Sequence, residues 1–80
     1  MSEQVRSFQQ KSINNILRKN KNADRYSFNL LISRFLNMAY IKHSFNGDHL
    51  ILNDCITSEQ LTKTKSYALG LLDGIEISLP

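Results

Sequence analysis

Tyr40-Ile41-Lys42-His43-Ser44-Phe45-Asn46-Gly47-Asp48-His49-Leu50-Ile51-Leu52-Asn53 is the stretch on which the reading of this 80-residue chain turns. Two runs of β-prone residues flank Asn46-Gly47. That dipeptide is the strongest short hairpin signal, because a type I′ turn needs positive φ at both central residues. A two-residue Asn46-Gly47 loop sets Phe45 opposite Asp48, His43 opposite Leu50 and Ile41 opposite Leu52. Lys42, Ser44, His49 and Ile51 then point to the other side of the ribbon.

Upstream of the ribbon the apolar period changes from two to 3.6. Phe28, Leu31, Ile32, Phe35, Leu36, Met38 and Ala39 fall on one broad face of a helix that Asp24 or Ser27 can cap. Asn29, Ser33, Arg34 and Asn37 occupy the opposite face, with Leu30 the single apolar intruder. The polar joint Lys19-Asn20-Lys21-Asn22-Ala23-Asp24 precedes this helix. Before the joint, Val5, Phe8, Ser12/Ile13 and Ile16/Leu17 recur at helical spacing, either in one helix of about four turns or in two shorter ones meeting near Ser12.

Downstream, Thr57 with Gln60 forms a capping box that opens a helix through Leu61, Thr64, Ala68 and Leu71/Leu72. Gly74 is placed to end it in left-handed geometry, and Ile75-Glu76-Ile77-Ser78-Leu79-Pro80 alternates like a short strand. The expected fold is a single α+β domain over residues 1–80, ordered helix, helix, hairpin, helix, short C-terminal strand. So small a core gains from self-association, and the expected homodimer pairs through Ser58 to Leu79.

From Ser27 to Leu61 the order of residue types resembles the second half of a winged helix-turn-helix domain. In that family a recognition helix ends at a Gly-Tyr-Ile-like step and runs into a two-stranded wing. The step here reads Asn37-Met38-Ala39-Tyr40-Ile41-Lys42, followed by the wing turn Asn46-Gly47, the return strand Leu50-Ile51-Leu52 and a helix start at Thr57. The match is one of residue types and covers under half the chain. The resemblance implies that Ile13 to Lys19 is the supporting helix, Lys19 to Tyr26 the turn, and Phe28 to Ala39 the helix presented to the major groove of duplex DNA.

Charge is distributed unevenly. Up to Lys42, eight Lys and Arg stand against Glu3 and Asp24, a net of +6. From His43 onward, Lys63 and Lys65 stand against five carboxylates, a net of −3. A basic half joined to an acidic half fits a polyanion at one end and protein or water at the other. Arg18, Lys19, Lys21 and Arg25 around the joint, with Lys42 and His43 on the ribbon, are candidate phosphate anchors. Asn29, Ser33, Arg34 and Asn37 are candidate base readers, Asn suiting adenine and Arg guanine.

No activated nucleophile, carboxylate pair or phosphate-cradling Gly loop is visible, so neither catalysis nor a cofactor is expected. The two His lie on opposite faces of the ribbon with no ligand cluster, so no metal is expected. Lone Cys55, the absence of a leader and the lack of any apolar run near the ~20 residues a bilayer needs point to an intracellular, cytoplasmic chain that stays out of membranes. Two functions remain open. One is a small DNA-binding transcription regulator of winged-helix type. The other is a protein-interaction module, an inhibitor or adaptor, for a larger and acidic partner.

Overall fold

The hairpin forms where the dipeptide places it, with a register that differs from the expected one. Strands β1 (His43–Asn46) and β2 (His49–Leu52) pair antiparallel, with His43 opposite Leu52, Ser44 opposite Ile51, Phe45 opposite Leu50 and Asn46 opposite His49. The loop is therefore Gly47-Asp48 rather than Asn46-Gly47. Gly47 alone in this turn has positive φ, +64°, the pattern of a turn with Gly at its first central position. A type I′ turn on Asn46-Gly47 needs two left-handed residues; the observed one needs only the glycine. Because each partner moves by two residues, every side chain keeps its face, and Leu50 and Leu52 are fully buried beside the His43 and Phe45 positions. A Cβ at Gly47 meets open space, so Gly47→Ala has a backbone cost alone. It should lower stability by about 1–2 kcal/mol in urea denaturation.

This computed structural model describes residues 2–20 and 25–78; the rest of the joint, with Lys21 and the proposed cap Asp24, lies outside the described residues. Three helices and the two-stranded sheet make a small α+β domain in the order α1 (Ser2–Leu17), α2 (Arg25–Met38), β1, β2, α3 (Ser58–Ser78). Helix α1 is unbroken. Ser12 does not interrupt it, because its hydroxyl donates to the Phe8 carbonyl one turn back at 2.9 Å and leaves the helical ladder in place. A separate supporting helix beginning at Ile13 is thus absent. Ser27 lies inside α2 instead of capping it.

The capping box at α3 forms as read: the Gln60 amide donates to Thr57 Oγ1 at 3.0 Å, and the Thr57 amide to Gln60 Oε1 at 2.8 Å. The far end of α3 differs from the expectation. Helix continues through Gly74 to Ser78, so there is no short strand over Ile75–Ser78 and no strand there for a dimer to pair through. The helical ladder outweighs both the glycine and the alternating tail.

The core joins Ile13, Ile16 and Leu17 of α1 to Phe28, Ile32 and Leu36 of α2, with Ile41, Leu50, Leu52 and Ala68 completing it. Each of the Ile, Leu and Phe side chains contributes about 1.5–3 kcal/mol through burial. Phe35 of α2 stacks on Tyr67 of α3 with ring centroids 4.4 Å apart.

Polar groups fix the docking of β2 on α1. The backbone groups of Leu50 and Leu52 turn away from β1, where a third strand would pair. Side chains of α1 take the place of that strand. Asn14 Oδ1 accepts from the Leu50 amide at 2.8 Å while its Nδ2 donates to the Leu50 carbonyl at 2.9 Å. Gln10 Oε1 accepts from the Leu52 amide at 2.9 Å, and Arg6 donates to the Leu52 carbonyl at 3.0 Å. Gln9 binds both backbone groups of Ile56 in the same two-point manner. Asn14 and Gln9 are buried, so water does not compete for these bonds.

Candidate interaction surface on the second helix

Helix α2 carries more than one polar face, and the structure separates them. Arg25, Asn29 and Ser33 follow one another at four-residue spacing along the side that meets the ribbon. Asp48 in the hairpin turn accepts from Arg25 at 3.0 Å and from Asn29 at 3.3 Å. Ser33 Oγ lies 2.7 Å from His43 Nε2, and His43 Nδ1 lies 2.9 Å from the Ile41 carbonyl. A carbonyl only accepts, so the ring proton sits on Nδ1, and in the neutral ring Nε2 takes the Ser33 hydroxyl proton. Four of the ten candidate nucleic-acid residues, Arg25, Asn29, Ser33 and His43, are thus occupied in joining α2 to the ribbon. Asn29, Ser33 and His43 are half-buried there.

The remaining candidates are dispersed. Arg18, just past α1, is exposed and donates to the Asn15 side-chain carbonyl. Lys19 is exposed in the turn that follows, Lys42 is exposed at the root of the ribbon, and Lys21 lies outside the described residues. Arg34 and Asn37 are exposed on the outer side of α2.

That outer side is where the structure shows what residue type alone had hidden. Tyr26, Leu30, Arg34 and Met38 form a ridge at four-residue spacing, with Tyr26 78 % and Met38 80 % exposed. The apolar periodicity places Met38 on the inner face, and the structure puts it outside. It lies about 120° around the helix from Ile32, at the margin that a broad-face reading absorbs. Leu30, the apolar intruder among polar neighbours, was the visible signal of this stripe.

Tyr40 extends the ridge beyond the helix end. Helix α2 closes with the Ile41 amide donating to the Leu36 carbonyl at 2.8 Å and the Tyr40 amide to the Asn37 carbonyl at 3.1 Å. This double closure requires a left-handed residue at Tyr40, whose φ is +60°, a position that glycine normally fills. Buried Ile41 and Leu36 fasten the closure from below, while the Tyr40 ring is 94 % exposed. Beside it opens a depression of about 320 Å³ lined by Lys42, Asp54, Cys55, Ile56 and Gln60. Gln60 donates to the Ala39 carbonyl at 3.2 Å and so ties the start of α3 to this corner.

Among the described residues no group of three or more His, Cys, Asp or Glu is placed to hold a metal ion. No described helix is long and apolar enough to cross a membrane. The chain matches no protein family, no curated protein and no solved structure.

Proposed function

We propose that this chain is a non-enzymatic protein-binding module, an inhibitor or adaptor, that docks the outer ridge of α2 and its Tyr40 corner on a larger partner. Tyr40 carries the reading: a bulky aromatic held in a strained backbone conformation, packed against little of its own chain, has no structural reason to be there. Tyr, Met, Leu and Arg at helical spacing form the pattern by which an exposed helix inserts into a partner's groove. Arg34, central on the ridge, makes no ion pair among the described residues. The complementary groove is therefore apolar with a carboxylate facing Arg34.

Affinity capture with the intact chain, run in parallel with Met38→Asp, tests this. Met38 is outside the core, so the variant still folds, with a cost of about 1 kcal/mol for a carboxylate in the last turn of α2, yet a protein held through the ridge should bind at least roughly thirtyfold more weakly. Equal retention by both baits counts against the ridge.

Duplex DNA is the second reading, as in a winged-helix-type transcription regulator. It is favoured by the exposure of Arg18, Lys19, Arg34 and Lys42, none of them ion-paired among the described residues. Binding of that kind requires log K to fall with log[salt] at about −0.9 per phosphate contacted. Salt-insensitive, equal and weak behaviour toward every duplex leaves the protein-binding reading alone.

A further inference from the structure

Lys11 and Arg18 stand about 10 Å apart along the axis of α1 on one stripe, with Asn14 and Asn15 between them. His49 rises beside this stripe from the hairpin tip, and the residues enclose a cleft of about 320 Å³. Among the described residues no carboxylate lines it. Asp48, the acid next to His49, has one oxygen on Arg25 and the other on Asn29, and Glu3 of α1 is paired with Arg6. Among the described residues no acid therefore neutralises the positive charge of the cleft.

The wall of the cleft is also held in place. Because the side-chain oxygens of Gln10 and Asn14 are taken by the Leu52 and Leu50 amides, their nitrogens are directed by β2 itself; each lies 3.5 Å from His49 Nε2. Amide nitrogens only donate, so Nε2 accepts and the ring's own proton sits on Nδ1. Arg18 is steadied by Asn15. A planar fork at one end, a mobile ammonium at the other and the Nδ2 amide of Asn15 between them, its Oδ1 turned to Arg18, suit an anion with several oxygens.

We infer that the cleft between α1 and the hairpin tip binds a phosphate group, with Arg18 and Lys11 gripping its oxygens and His49 closing the side. The site lies on a different helix from the ridge and does not depend on it.

The test is an amide NMR titration of the full chain with inorganic phosphate, adenosine monophosphate and a short mixed-sequence duplex in turn. Saturable shifts confined to the Ser7 to Arg18 stripe and His49 are expected, weakened about tenfold by Lys11→Gln and again by Arg18→Gln. Both positions are exposed, and an unchanged amide spectrum elsewhere verifies that the variants fold. Saturation by the free phosphates assigns the site to a small phosphorylated ligand. Saturation by the duplex alone, lost in the same variants, assigns it to a nucleic-acid backbone. Either result upholds the cleft. Absence of saturation with all three probes, or binding that survives in both variants, overturns it.

Discussion

Asn14→Ala should unfold a large fraction of the molecule's stability, about 2–5 kcal/mol, and lower the melting temperature by about 10 °C or more. The side chain supplies both partners of Leu50, whose residue is fully buried, so the truncation strands an amide and a carbonyl where water cannot replace them. Each stranded group costs about 1–3 kcal/mol, and a domain of this size has about 5–15 kcal/mol in all. Asn14→Asp should be damaging for a different reason: it keeps an acceptor for the Leu50 amide but turns an oxygen toward the Leu50 carbonyl. Hydrogen exchange provides the local readout, with the Leu50 amide losing its protection first. A melting shift below roughly 2 °C in Asn14→Ala would show that α1 does not close the edge of β2.

Tyr40→Gly should move stability and function in opposite directions. A β-carbon in left-handed geometry costs about 1–2 kcal/mol, and glycine's greater freedom in the unfolded chain takes back part of the gain. The expected net is about 0.5–1 kcal/mol of added stability, read as a higher denaturation midpoint. The same change removes the most exposed aromatic of the ridge corner, so partner binding should weaken by about tenfold to a hundredfold. Tyr40→Asn is a useful companion, since Asn also tolerates the left-handed region while lacking the ring. A lower midpoint in Tyr40→Gly contradicts the strain argument. Undiminished binding in both variants would falsify the role given to the ridge.

Read together, these two residues show why part of the candidate site was legible and part was not. The outer face of α2 was visible as a face, and Arg34 and Asn37 are on it. Asn29 and Ser33 carry the same kinds of hydrogen-bonding groups, yet the structure commits them to Asp48 and His43. Residue type records what a side chain can bond, and only packing records what it does bond. Asn14, Gln9 and Gln10 have roles that are illegible in the sequence for the same reason. They read as ordinary polar helix positions, while their partners lie 36 to 47 residues away.

The sequence by itself determined what depends on neighbours along the chain: the presence of a hairpin turning near Asn46-Gly47, the faces of its two strands, the capping box at Thr57 and the element order from α1 to α3. These follow from dihedral preferences and periodicities that act over a few residues. Tertiary structure decided the rest. It set the loop on Gly47-Asp48, where Arg25 and Asn29 meet Asp48. It also left Met38 and Tyr40 outside, and used α1 amides as the missing strand beside β2. The physical reason is that a buried polar group must find a partner wherever the packed chain brings one, and that choice is made across the fold, not along the sequence.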